Sequence, residues 1–173
     1  DGGIGDVIEG GEGDDLIFGS EDGFEIDADF DDVFRSGDSI FGGAGNDTIH
    51  GLGGADDIDA GAGDDWVDGG VGGDRLIGGL GEDTVYGHLG DDLIFGHASL
   101  LAGVADDNAR DFLYGEWGDD TIRGNGGDDL IEGGFGSDNL FGDAGDDVIR
   151  AGFGAVHHLE GGGGDDLLYG AED

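Results

Sequence analysis

The chain has 173 residues, of which 45 are Gly and 44 are Asp or Glu, against five Lys and Arg together, for a formal charge of −39. That charge excludes nucleic acid and an anionic membrane surface as partners, and zero Cys excludes a disulfide framework or a thiolate metal site. Acids in such excess over apolar residues would ordinarily mark a disordered segment unless something neutralises them.

The acids are spaced rather than run together. The opening Gly2 to Glu9 reads as a shortened repeat, and GGEGDDLIF follows from Gly10. Six units run unbroken from Gly42 to Phe95: GGAGNDTIH, GLGGADDID, AGAGDDWVD, GGVGGDRLI, GGLGEDTVY and GHLGDDLIF. GEWGDDTIR, GNGGDDLIE, GGFGSDNLF and GDAGDDVIR run from Gly115 to Arg150, and GGGGDDLLY closes the series from Gly161. Every one of these nonapeptides has Gly at position four, Asp at position six and Ile, Leu or Val at position eight. Gly19 to Phe41 carries extra residues before the half-repeat Gly37-Asp38-Ser39-Ile40-Phe41, and Gly96 to Tyr114 ends likewise in Asp111-Phe112-Leu113-Tyr114. These read as loop insertions at about 20–36 and 97–109 within a single roll. Ala151 to Glu160 is one residue too long and has His157 where the Asp belongs.

Six positions of each unit are turn-formers, with Gly at one, two and four free to take positive φ. The other three are long enough for a very short strand, whose position eight faces inward while seven and nine face out. Ile49, Ile58, Val67, Leu76, Val85 and Ile94 are then the core. Two units make one turn of 18 residues. Stacked at about 4.8 Å, roughly sixteen half-turns give a rod about 40 Å long. The fold class is all-β: a parallel β-roll, a right-handed parallel β-helix solenoid with two short-stranded sheets and loops on both edges. Gly at this density argues against helices, and the absence of Pro suits a continuous ladder. No stretch approaches the roughly 18 apolar residues of a membrane helix. Both ends fall inside repeats, as in an excerpt from a longer protein.

Calcium takes six to eight oxygens and accepts carboxylate and carbonyl together. One glycine loop cannot encircle an ion, but two loops stacked one turn apart can. Position five varies (Asn46, Ala55, Gly73, Ser137) whereas position six does not, so position six is the side-chain ligand.

The pattern resembles the RTX (repeats-in-toxin) family of calcium-binding β-rolls over nearly the whole chain. The resemblance implies an ion between the loops of repeats i and i+2, held by both position-six Asp residues. One loop adds carbonyls from positions two and four, the other from one and three. The carboxylate ligands it implies are Asp15, Asp38, Asp47, Asp56, Asp65, Asp74, Asp83, Asp92, Asp111, Asp120, Asp129, Asp138, Asp147 and Asp166. Its carbonyl donors include Gly43, Gly45, Gly54, Gly63, Gly72, Gly81, Gly90, Gly118, Gly127, Gly136, Gly145 and Gly164. Between the units at Gly42 and Ala60, for example, the ion takes Asp47, Asp65 and the carbonyls of Gly43, Gly45, Ala60 and Ala62. Six sites rest on uninterrupted sequence, and counting the irregular segments gives about six to fourteen Ca2+. The resemblance also implies export by a type I secretion system, with the chain unfolded inside the cell and folded by calcium outside it. Competing roles for the parent are a structural, adhesive or surface-layer protein, a secreted enzyme (protease, lipase, epimerase) or a toxin. Carboxylates in their ordinary range would lose calcium towards about pH 4.

Other residues carry weaker signals. Asp27, Asp29 and Asp31 alternate like the start of an EF-hand loop, but Asp32 stands where that loop wants Gly. His50 and His88 occupy different repeat positions and read as surface residues, and the adjacent His157-His158 pair is weak evidence for a transition metal. No nucleophile–base arrangement is visible, so the module is read as non-enzymatic. If each irregular segment counts as one half-turn, one sheet face collects Leu16, Thr48, Trp66, Thr84, Phe112, Leu130, Val148 and Leu167 at position seven. Phe18, Tyr86, Tyr114 and Tyr169 join them at position nine. An apolar strip of that length suits a protein partner or self-association.

Overall fold

The computed structural model describes residues 7–13, 15–19, 37–97, 108–154 and 157–171. Among them lie sixteen strands: β1 (Val7–Glu12), β2 (Leu16–Phe18), β3 (Ser39–Ala44), β4 (Thr48–His50), β5 (Asp57–Ala62), β6 (Trp66–Val71), β7 (Arg75–Leu80), β8 (Thr84–Leu89), β9 (Leu93–Phe95), β10 (Phe112–Trp117), β11 (Thr121–Gly126), β12 (Leu130–Phe135), β13 (Asn139–Ala144), β14 (Val148–Phe153), β15 (His158–Gly163) and β16 (Leu167–Tyr169). Odd-numbered strands form one eight-stranded sheet and even-numbered strands the other. Each strand pairs in parallel with the next but one, so that Ile40, Ile58, Leu76 and Ile94 fall in register. The chain therefore alternates sheets at every half-turn, as the nonapeptide spacing predicts.

The strands are longer than that spacing predicts. Twelve run six residues, from position seven through position three of the next unit. Only β2, β4, β9 and β16 stop at three. Gly at position two bends the backbone without ending the ladder, because every rung bends at the same place and neighbours stay paired (Gly43, Gly61 and Gly79; Ala44, Ala62 and Leu80). Positive φ belongs to positions two and four, not to position one. Position two also accepts Leu52, His88, Glu116, Asn125 and Asp143, at φ 71 to 77. Position four does not: at φ 144, Gly63 lies outside the left-handed well open to other residues. Position one faces inward, and Ala60 and Ala151 occupy it fully buried.

Position eight fills most of the interior. Ile40, Ile49, Ile58, Val67, Leu76, Val85, Ile94, Leu113, Ile122, Ile131, Leu140 and Ile149 are all fully buried in one continuous column. Ile77 is buried as well, although it sits at outward-facing position nine; His97 packs nearby, its Nδ1 2.7 Å from the Gly79 carbonyl oxygen.

The strands that flank each insertion keep the alternation of sheets, so each irregular segment counts as one half-turn. β2 pairs with β4 across the first and β8 with β10 across the second, Thr84 opposite Phe112. Trp66 and Leu130 therefore share a sheet, and the eight uncharged position-seven residues form one column on it. The position-nine column beside it is mixed. Asp68, Glu132 and Arg150 interrupt Tyr86, Tyr114 and Tyr169, and the Phe18 side chain lies outside the description. Parity also sorts position three. The second sheet carries Val71, Leu89, Trp117, Phe135 and Phe153 in register, all exposed. The first sheet carries small residues at most of the matching places, among them Ala44, Ala62, Gly126, Ala144 and Gly163.

Candidate cation-binding loops

The loops stack in two columns, one on each edge. Along the edge leading into the first sheet lie Asp38, Asp56, Asp74, Asp92, Asp120 and Asp138. Along the other lie Asp15, Asp47, Asp65, Asp83, Asp111, Asp129, Asp147 and Asp166. Twelve of these position-six carboxylates are at most 3 % exposed, and Asp15 and Asp166 are half-buried. They point inward because six, eight and one lie on the same side of the strand.

Within a column the backbone N–H of a position-six Asp donates to the carboxylate one turn on, except at Asp138, where His157 stands in its place. Asp47 N–H reaches Asp65 Oδ1 at 2.8 Å, Asp65 N–H reaches Asp83 Oδ1 at 2.9 Å, and Asp74 N–H reaches Asp92 Oδ1 at 2.8 Å. The second insertion leaves this chain of bonds intact. Asp83 to Asp111 and Asp92 to Asp120 span 28 residues instead of 18 at the same 2.9 Å.

One oxygen of each carboxylate is thus engaged. The other is not: Oδ2 of Asp15, Asp47, Asp65, Asp74, Asp92, Asp120 and Asp147 is buried without a hydrogen-bond partner. A buried carboxylate oxygen left so is costly unless a cation meets it. Burial accordingly pushes five of them up, helped by the neighbouring aspartates and opposed by the N–H bond each accepts. Asp65 and Asp147 rise to about 6, Asp74 and Asp120 to about 7, and Asp92 to about 8. Proton competition for such groups begins near neutrality, above the pH 4 that ordinary carboxylates suggest.

The same gaps collect carbonyl oxygens. A β-carbon on Gly61 would collide with the carbonyl oxygen of Gly43, and one on Gly63 with that of Gly45; one on Gly42 would collide with that of Ala60. Carbonyls from positions two and four of one loop and position one of the next therefore face each other across the gap that Asp47 and Asp65 flank. The Ala62 carbonyl accepts the Gly45 N–H at 2.8 Å. The pattern recurs for the position-four carbonyls of Gly54, Gly63, Gly72, Gly90, Gly118, Gly127, Gly136 and Gly145. Gly164, in the last loop, has no loop stacked beyond it among the described residues. No group of three or more His, Asp or Glu side chains among the described residues is arranged to hold a metal ion by itself. A cation in these loops would draw mostly on backbone oxygen, and a hard, oxygen-seeking ion with irregular coordination fits that donor set.

Position five is built differently. It is exposed and caps the backbone in the opposite direction, Glu82 N–H donating to Asp64 Oδ1 at 3.1 Å and Asp146 N–H to Asp128 Oδ1 at 2.9 Å. Asp27, Asp29 and Asp31 lie outside the described residues. Two groupings escaped the sequence reading. His50 and His88 flank Asp68, whose carboxylate lies 3.3 Å from His50 Nδ1 and 3.1 Å from His88 Nε2; His88 Nδ1 meets Glu116 at 2.8 Å. Gly70 is the register partner of His88, and with no side chain there His88 has room to lean onto Asp68. His157 takes the place of an Asp in its column and lies against Asp138.

Stacked glycine loops on a parallel roll, with one buried aspartate per half-turn, define a class of repeat protein whose loops turn carboxylate and backbone oxygens into the gaps between turns. The chain belongs to the family of RTX calcium-binding nonapeptide repeats, whose pattern covers residues 1–22, 34–67, 68–98, 105–131, 123–155 and 158–173. It is a calcium-binding β-roll module. No curated protein matches it.

Proposed function

We propose that this single roll is a non-enzymatic module of an exported bacterial protein and folds when it meets calcium outside the cell, in a structural, adhesive or surface-layer role. The observation that carries the reading is the unpartnered, buried Oδ2 in successive loops. Burial of so many charged carboxylates is unfavourable, and a divalent ion between each pair reverses the sign, so binding free energy becomes folding free energy. Each ion takes the two position-six carboxylates of its gap together with loop carbonyls, as between Asp47 and Asp65. Extracellular modules of this kind respond at about 10⁻⁴–10⁻³ M calcium, a level found outside cells and not within them. The uncharged position-seven column of the second sheet serves as the contact surface for a partner protein or another copy.

Circular dichroism of the chain in EDTA, then through a calcium titration, tests the reading. Little β-structure in EDTA and a cooperative gain at millimolar calcium are expected. Magnesium should not substitute, because it demands octahedral geometry and keeps its waters. Full β-structure in excess EDTA at neutral pH would sink the reading.

A further inference from the structure

One rung of the roll departs from all the others. In the gap between the loops of Gly133–Asp138 and Ala151–His157, the second carboxylate is replaced by an imidazole. His157 is inward-facing, its side chain only 4 % exposed, with Nδ1 3.3 Å from Asp138 Oδ2 and 3.4 Å from the Asp138 backbone nitrogen. Its Nε2 is buried and has no hydrogen-bond partner. His158, its neighbour in sequence, points to the opposite side and is mostly exposed, so the two are not a pair.

The rest of the gap keeps its oxygen donors. β-Carbons on Gly152 and Gly154 would collide with the carbonyl oxygens of Gly134 and Gly136, and one on Gly133 would come within 2.7 Å of the Ala151 carbonyl oxygen. The ring stands over Gly154, its Cε1 2.9 Å from where a β-carbon there would lie. Relative to the other gaps, this one has lost a carboxylate oxygen and gained an imidazole nitrogen. Calcium binds oxygen almost exclusively, whereas first-row transition metals bind imidazole well and tolerate carbonyl and carboxylate beside it. A carboxylate against the far nitrogen of a metal-bound histidine fixes the ring and its tautomer; Asp138 Oδ2 lies there, and a metal on Nε2 would turn Nδ1 from accepting the Asp138 N–H to donating to that oxygen.

We propose that this gap is a transition-metal site: His157 Nε2 ligates a divalent first-row ion, Asp138 orients the ring, and the carbonyls of Gly134, Gly136 and Ala151 supply oxygen. The proposal rests on the reading that cations occupy the gaps between stacked loops.

Cobalt(II) chloride added to the calcium-saturated chain is the probe, followed by its visible absorption bands and by calorimetry. One equivalent is expected to bind and to resist excess calcium. His157→Ala should weaken that uptake tenfold or more. His157→Asp, which restores the repeat, should abolish it and add one calcium to the stoichiometry. Cobalt binding that is absent, or unchanged in His157→Asp, overturns the proposal. If calcium itself fails to fold the chain, the broader reading falls; if calcium folds it normally and cobalt ignores residue 157, only the transition-metal site falls.

Discussion

Asp64 and Asp65 are adjacent in sequence and opposite in role. Asp65 is buried and accepts the Asp47 N–H, whereas Asp64 is exposed and caps Glu82. Asp65→Ala should raise the calcium midpoint about tenfold or more, since it strips a donor from two gaps. Asp64→Ala loses one exposed hydrogen bond, about 0.5–1 kcal/mol of stability, and should leave the calcium midpoint nearly unmoved. Equal shifts in parallel calcium titrations would refute the assignment of position six. The raised carboxylates make a second claim at this scale. A folded-state value above the unfolded 3.8 stabilises the ion-free roll below about pH 4, and that stability is lost as pH rises through the folded values of about 6 to 8. In EDTA, β-structure should therefore grow on acidification from pH 8 towards 4. With calcium present, the midpoint should move to higher calcium as pH falls below about 7. An ellipticity in EDTA that stays flat across that range would contradict the first expectation.

At the scale of the strand, each rung contributes one apolar side chain to a core one residue wide. Ile131→Ala should therefore cost about 2–5 kcal/mol, with little room for its neighbours Leu113 and Ile149 to close in. Gly63→Ala tests a different constraint. The residue sits at φ 144 and its new methyl would strike the Gly45 carbonyl, so a loss of about 1–3 kcal/mol is expected without any loss of apolar burial. Thermal melts in saturating calcium measure both, and an unchanged melting temperature for Gly63→Ala would show that the loop does not need its glycine. The ring ladder on the second sheet holds adjacent loops in another way. Phe135 stacks between Trp117 at 4.2 Å and Phe153 at 5.2 Å. Phe135→Ala removes both contacts, and aromatic pairs contribute about 0.5–1.5 kcal/mol each beyond their burial.

For the whole molecule the dominant quantity is the charge of −39. Without a cation this repels itself along the full length of the rod, and one thin column of aliphatic residues does not offset it. Calcium should then act as a global switch rather than a local one. By size scaling, the radius of gyration should fall from about 40 Å in EDTA to below about 20 Å in millimolar calcium. Small-angle scattering reads this directly, and a compact particle in EDTA at neutral pH would show that apolar burial suffices.

Position eight as core, position six as the inward carboxylate and the alternation of two sheets were all legible in the sequence, because each depends only on a period that repeats along the chain. The sharing of one sheet by Trp66 and Leu130 was legible too, once each insertion was counted as one half-turn. What the sequence could not reveal depends on neighbours one turn away. The strands proved six residues long because identical bends stack in register. The exposed apolar column at position three was hidden among varied residues until alternate repeats were separated onto opposite edges. His50, Asp68, His88 and Glu116 come from four different repeats and from positions nine and two, so no spacing rule joins them. His157 was visible as a break in the pattern, but only the stacking of its loop on that of Asp138 gave it a partner. Period determines which way a side chain faces; what it meets there is decided by the turn stacked above or below it.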